Sequence, residues 1–144
     1  MIKFISVEDA LPLRNTILRD GKLTPNEMRY TNDNAEGSFH LGYFIKGELV
    51  SIVSFHPQSY KQFQGEGYQM RGVGTVEQYR GEGIGTRLLN FAIVYLLEQK
   101  ANYVWCNARR KALRFYQNAG FEIVSPEFDL PPAGPHNALY LKIQ

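Results

Sequence analysis

Hydrophobic positions change their period several times along the chain, and each change marks an element. Ile2 to Ile5 reads as a short strand. Ser6 ahead of Val7-Glu8-Asp9 supplies an N-cap followed by acidic first-turn residues, which predicts a helix to about Arg19, closed by Gly21 and Pro25. The polar stretch Thr31 to Gly37 reads as a flexible surface loop. Phe39 to Ile45 and Leu49 to Phe55 are β-rich runs on either side of Lys46-Gly47-Glu48, the pattern of an antiparallel hairpin. A polar, Gly-containing stretch from Ser59 to Gly67 leads into a strand from Tyr68 to Val76. Ile84, Leu88, Ala92 and Leu96, with Leu89 and Ile93 beside them, have helical spacing and predict a helix to about Lys100 that lies on a sheet. A short buried strand from Tyr103 to Cys106 follows, then a helix from Ala108 to Asn118 ended by Ala119-Gly120, and a strand from Phe121 to Val124. The Pro-rich segment Pro126 to Pro135 precedes a last strand, Ala138 to Ile143. The order β-α-β-β-β-α-β-α-β-β implies an α/β (α+β) fold, a mixed sheet with helices on its faces.

A chain of 144 residues with 44% hydrophobic content has the size and apolar supply of one domain, residues 1–144, with its own core. No repeat or linker interrupts it. There is no run of about 18 apolar residues to span a bilayer, and Met1 to Ile5 is too short for a signal segment. A cytosolic protein without a membrane partner is the simplest reading. The lone Cys106 cannot form an internal disulfide, and Val104, Trp105 and Ala108 around it suggest a packed thiol. No Cys/His cluster suggests a metal. The net charge of +2 is unevenly spread: residues 71–114 carry +5 and the remainder −3. A basic segment in a near-neutral chain suggests a local anionic ligand, whereas a nucleic-acid binder would show a wider basic footprint. A solvated basic helix face would give the same count.

Gln78-Tyr79-Arg80-Gly81-Glu82-Gly83-Ile84-Gly85-Thr86 lies between the strand ending near Val76 and the helix beginning near Ile84. Backbone N–H groups at a helix N-terminus lack intrahelical partners and sit at the positive end of the helix dipole, so glycines there let a diphosphate come close to the amides. Arg80 and Arg87 could add charge. Glycines also make ordinary turns, and the spacing does not decide between the two. The Gly-Lys-Ser/Thr ending of a P-loop is absent, and Gly81, Gly83 and Gly85 lack dinucleotide-fold spacing.

Arg80-Gly81-Glu82-Gly83-Ile84-Gly85 resembles the Gln/Arg-x-x-Gly-x-Gly/Ala signature of the GNAT superfamily of N-acetyltransferases. Phe115-Tyr116-Gln117-Asn118-Ala119-Gly120-Phe121 is similar to the Phe-Tyr-x-x-x-Gly-Phe that ends the family's second signature helix. The interval between the motifs and the order of elements agree, and Arg71-Gly72-Val73-Gly74-Thr75 with Leu11-Pro12-Leu13-Arg14 suggests a bacterial branch. The resemblance implies a mostly antiparallel sheet with a splayed central strand pair and helices on both faces. It implies acetyl-coenzyme A as co-substrate, no metal, and direct attack by a primary amine of a small molecule or peptide. It places pantetheine against the backbone of Val73, Gly74 and Thr75, and the diphosphate on Arg80, Gly81, Glu82, Gly83, Ile84, Gly85 and Thr86. Tyr116 matches the tyrosine that protonates the leaving thiolate, although a packed aromatic would look the same.

The family's asparagine seven residues before that tyrosine is Arg109 here, with Asn107 two residues earlier, so either is a candidate cofactor contact. Arg109, Arg110 and Lys111 could equally be a solvated basic cluster near the adenosine 3′-phosphate. The general base is fixed by neither motif. Glu66 and Glu77 flank the signature strand, and His136 precedes the last one; a histidine titrating near neutrality suits the task. A non-catalytic acyl-coenzyme A sensor, and a binder of another nucleotide, are the competing readings. Dimerisation is frequent in such proteins, and no nucleic-acid partner is expected.

Overall fold

The computed structural model describes every residue from Met1 to Gln144. The chain divides into two compact units, Met1–Pro57 with Met70–Tyr95 and Gln58–Gln69 with Leu96–Gln144. The first holds β1 (Ile2–Ile5), α1 (Val7–Arg19), β2 (Phe39–Ile45), β3 (Glu48–Pro57), most of β4 (Gly67–Thr75) and most of α2 (Ile84–Glu98). Ser6 caps α1 by accepting from the Asp9 N–H at 3.1 Å, as its sequence predicts. Beyond α1 the chain makes a short 3-10 turn at Pro25–Met28 under a Thr24/Glu27 capping box. β1 runs antiparallel to β2, with Ile2 opposite Tyr43 and Ile5 opposite His40. β2 runs antiparallel to β3, with Phe39 opposite Phe55 and Ile45 opposite Glu48. β3 is in turn the neighbour of β4.

Apolar periodicity explains why these elements stay together. Val7 and Leu11 on one stripe of α1 close over Met28 and Leu18, and all but Leu18 are fully buried. Leu41, Val50, Ile52 and Phe55 bury the strands, and Ile84, Leu88 and Ala92 bury α2 at the predicted spacing. Phe39 stacks on Phe55 at 5.0 Å and meets Tyr95 edge-on at 4.7 Å, pairs worth roughly 0.5–1.5 kcal/mol each beyond their buried area. Thr31 to Gly37 is a loop at the surface as expected, exposed at Thr31 and 34–37, but it turns Asp33 inward. It is a series of turns in which Tyr30 and Asp33 bond to each other's backbone side, and Asp33 is only 3% exposed.

The second unit is built on β5 (Tyr103–Arg109) and adds α3 (Leu113–Asn118), β6 (Glu122–Ile123), β7 (Phe128–Leu130) and β8 (Gly134–Lys142). β5 pairs in parallel with Gly67–Gln69 of β4 and antiparallel with β8, from Tyr103 opposite Lys142 to Arg109 opposite His136. β6 and β7 both pair antiparallel with β8. Two boundaries differ from the sequence expectation. Ala108 and Arg109 belong to β5 rather than to the following helix, because β8 begins at Gly134 and supplies Asn137 and His136 as their ladder partners. The Pro-rich segment contains β7, a third short strand that composition alone conceals. Tyr60, Phe63, Tyr103, Trp105 and Tyr140 form an aromatic cluster, and Tyr60 N–H and the Trp105 indole anchor the 58–67 stretch through Tyr103 Oη at 2.8 Å and Gln58 C=O at 2.7 Å. No helix is long and apolar enough to cross a membrane.

Candidate functional site

β4 and the turn behind it carry the candidate ligand-binding residues of the first unit. Every residue from Arg71 to Val76 is only half-buried. Val76 donates its N–H to Val50 C=O at 2.9 Å. Backbone groups of successive strand residues point alternately to the two edges, so Gly74 faces β3 while Val73 and Thr75 face the other edge. The β3 side also fastens this stretch: the Ser51 hydroxyl donates to Gly74 C=O at 3.0 Å and meets the Thr75 hydroxyl at 2.8 Å. Val73 and Thr75 thus offer an ordered strand edge to an extended ligand, while Gly74 between them is tied to β3 through its C=O.

After a 3-10 turn at Glu77–Tyr79, Arg80 folds back and donates its Nε to Thr75 C=O at 3.0 Å, which ties the turn to the end of β4. Gly81 and Gly83 have φ of 81° and 79°, and a Cβ on either would meet nothing within 4 Å. The α2 ladder begins with Arg87 N–H on Gly83 C=O at 3.1 Å. The N–H groups of Ile84, Gly85 and Thr86 precede that ladder, and none has an acceptor elsewhere in the chain. Ile84 pins the helix start to the core at 2% exposure, while Glu82 and Thr86 are exposed and can add only backbone donors and the Thr86 hydroxyl. Arg87 is held by the Tyr43 hydroxyl at 3.0 Å. Unpaired amides with open space beside Gly81 and Gly83, at the positive end of a 15-residue helix, suit a diphosphate.

In the second unit, α3 buries Tyr116 to 7% exposure against Phe121 and Phe115, at 5.3 and 5.1 Å between ring centres. Its hydroxyl has no hydrogen-bond partner in the chain. Burial, aided by the neighbouring Cys106, pushes the phenol far up, so it keeps its proton at neutral pH. Cys106 is itself packed and its thiol is pushed up by burial, as expected for a core residue. Asn107 and Arg109 sit on β5 opposite Ala138 and His136. Both are half-buried with no side-chain partner, whereas Arg110 is spent on an exposed fork to Glu127 at 2.8 Å. His136 is 7% exposed, and its Nδ1 lies 2.7 Å from Gly134 C=O. A carbonyl only accepts, so Nδ1 carries a proton here, and Nε2 has no partner in the chain.

Glu66 and Glu77 are both exposed, one just before and one just after β4. Glu66 is used structurally: its N–H donates to Asn102 Oδ1 at 2.7 Å and its C=O accepts from Asn102 N–H at 2.8 Å.

A buried polar network on the first unit escaped the sequence reading. Arg14, fully buried, donates Nη1 to Asp33 Oδ2 at 2.7 Å and to Met28 C=O at 3.1 Å, and Nη2 to Asp33 Oδ1 at 2.9 Å and Ser54 Oγ at 2.8 Å. His56 Nε2 meets the same carboxylate at 2.9 Å, and His40 spans Ser54 Oγ and Asp33 C=O. Burial alone would raise the Asp33 carboxyl, but hydrogen bonds from Arg14, His56 and Tyr30 N–H outweigh it and hold it well below the usual carboxylate range. The available signal was Arg14 itself, which falls on the Val7, Ala10, Leu11 stripe where a charge must find a buried partner.

Comparison with known proteins adds independent findings. A model of the Acetyltransferase (GNAT) family matches residues 8–121. The uncharacterised N-acetyltransferase YitI of Bacillus subtilis (strain 168) is 40% identical over 140 residues, covering 96% of this chain and 93% of YitI. The fold is shared with an aminoglycoside 6'-N-acetyltransferase crystallised with coenzyme A, at 15% identity and a TM-score of 0.78 over 100% of this chain and 97% of that one. Escherichia coli ElaA superposes with a TM-score of 0.77 at 18% identity, over 97% of each chain.

Proposed function

The chain belongs to the acetyltransferase (GNAT) family, and from that premise we propose that residues 1–144 work as one domain transferring an acetyl group from acetyl-coenzyme A to a primary amine. The observation that carries this reading is the open glycine turn, whose Gly81 and Gly83 leave clear space over the unpaired N–H groups of Ile84, Gly85 and Thr86. That cradle fits a diphosphate by charge and by room. The outward edge of Val73 and Thr75 fits the amide-bearing pantetheine arm, which can bond to it as a further strand would.

Acetyl-coenzyme A supplies the acyl group as a thioester; the remaining work falls to this chain. The incoming amine nitrogen forms the new bond to the acyl carbon as the carbon–sulfur bond breaks. Tyr116, held protonated by burial, donates its proton to the departing sulfur. His136 Nε2 takes the proton that the amine gives up, since Nδ1 is held by Gly134 C=O and leaves Nε2 without a partner. Glu66 and Glu77 have less to recommend them, being exposed and, for Glu66, engaged through backbone at Asn102. Asn107 and Arg109 are the β5 side chains left free to touch the co-substrate. The setting is the cytoplasm, where acetyl-coenzyme A is abundant, and the protein needs no nucleic acid or membrane partner.

Calorimetry with acetyl-coenzyme A, followed by a thiol-release assay across polyamines, amino acids, aminoglycosides and peptides, tests the proposal. Binding accompanied by thiol release with at least one amine is expected. Binding without release to any amine would favour a sensor; competition by ATP but not by coenzyme A would favour another nucleotide.

A further inference from the structure

Tyr30 lies under two cations. The guanidinium carbon of Arg14 is 4.3 Å from the centre of its ring and that of Arg71 is 3.7 Å from it. Only one carboxylate serves this region from within, and it is already filled. Asp33 accepts two bonds from Arg14, one from His56 and one from Tyr30 N–H. The nearby Glu8 is engaged at the surface by Arg29 at 3.1 Å. Arg71 therefore has no acidic partner and no hydrogen bond to any group of the chain, and the Tyr30 hydroxyl is likewise unpartnered. Yet Arg71 is not a swinging surface side chain: it is half-buried, and its guanidinium carbon lies close over the ring.

The platform beneath it is rigid. Arg14 is fixed by four hydrogen bonds and is fully buried, and a Cβ added at Gly72 would come within 3.1 Å of its Nε, so the backbone next to Arg71 rests directly on it. Two guanidinium groups over one ring with one saturated carboxylate leave one positive charge uncompensated and several donors aimed at nothing. The place is also distinct from the diphosphate cradle. Arg71 is four residues upstream of Thr75 on β4, roughly 13 Å along an extended strand, and two residues upstream of Val73 on the strand that the acyl donor is proposed to line.

We infer that Arg71, presented on Tyr30, binds a carboxylate of the amine acceptor, so that the substrate class is amines of amino-acid type. The inference rests on the acetyl-transfer reading above. Two N–H groups of the planar guanidinium match the two carboxylate oxygens, and the Tyr30 hydroxyl supplies a third donor. No other chemistry is asked of the residue: it positions the acceptor and leaves bond making to the groups already named.

The test is thiol release from acetyl-coenzyme A by the full chain, with L-amino acids compared against their α-amides and their decarboxylated amines. The wild type should use the carboxylate-bearing member of its best set with kcat/KM at least about tenfold higher, the size of a charge-assisted bidentate contact. Arg71→Gln should bring that ratio close to one through the KM of the acceptor, with the KM of acetyl-coenzyme A not following it. Arg71→Lys, which keeps the charge and loses the fork, should lower the same ratio in part and serves if the glutamine variant does not fold. Equal use of acids and amides by the wild type, or an unchanged ratio in both variants, overturns the inference. Calorimetry with acetyl-coenzyme A on the same samples separates the two failures. Absence of binding and of thiol release with every amine sinks acetyl transfer and the carboxylate site with it, whereas release without a carboxylate preference sinks the site alone.

Discussion

Tyr116 and His136 are equally buried, at 7% exposure each, yet the polar end of each side chain is left in a different state by its neighbours. The phenol has a proton and nowhere in the chain to give it; the imidazole has one nitrogen tied to Gly134 C=O and the other without a partner. That asymmetry suits a donor and an acceptor of protons in one reaction. Tyr116→Phe should keep the fold, because the ring packing on Phe115 and Phe121 is unchanged, and should lower kcat by roughly a hundred- to ten-thousand-fold. Steady-state thiol release reads the effect, and calorimetry with acetyl-coenzyme A should show a Kd close to that of the wild type. A kcat within a factor of two of wild type would remove Tyr116 from the chemistry. The residue was legible in the sequence only through its motif, since an aromatic on a short helix otherwise looks like core.

At the scale of elements, the glycine turn between β4 and α2 leaves backbone amides open, and the reason is local. Positive φ at Gly81 and Gly83 directs the chain so that the first amides of α2 are uncovered. Gly83→Val should therefore act twice: through backbone strain of about 1–2 kcal/mol, and through a side chain standing over the amides. Acetyl-coenzyme A should bind at least about tenfold more weakly. Gly47→Val in the β2–β3 hairpin, at φ 80° and also with open space around it, carries similar strain with no ligand beside it. Calorimetry on the two variants separates strain from occlusion, and equal affinity in both would mean that the turn does not hold the diphosphate. Other elements were misjudged where partners distant in sequence decide them. Ala108-Arg109 has no helix-breaking residue before it, and only the length of β8 makes it strand.

Stability of the whole molecule should fall toward acid in two stages set by the buried network. Burial lowers the His40 imidazole below its ordinary value. The unfolded chain then takes up its proton first, so stability present above about pH 6.5 begins to be lost as pH drops below it. Asp33 follows the same sign for a different reason: its carboxyl is held down in the folded state, so its contribution is present above about pH 3.9 and lost as the pH falls further. Urea melts from pH 8 to pH 3 should show both stages. Asp33→Asn should remove the lower one and cost about 3–5 kcal/mol at neutral pH, since it strands the fully buried Arg14 without its counter-charge. A melt curve flat from pH 8 to pH 4 would remove the His40 stage, and one flat on to pH 3 would mean that the network does not titrate on unfolding.

Local signals were sufficient for α1, the β2–β3 hairpin, β4, α2 and the glycine turn, because each is specified by residues within a few positions of one another: a capping serine, a reversal at Lys46-Gly47, an apolar stripe, unpaired amides at a helix start. The two motifs likewise named the family from the letters alone. What the chain order does not contain is the meeting of residues far apart. Arg14, Tyr30, Asp33, His40, His56 and Arg71 come from α1, a turn and three strands, and read singly each is an ordinary polar residue. Only the tertiary structure puts one carboxylate between Arg14 and His56, 19 and 23 residues away from it in sequence, and leaves Arg71 without one, because charge compensation is a property of distances in space that sequence separations do not reveal.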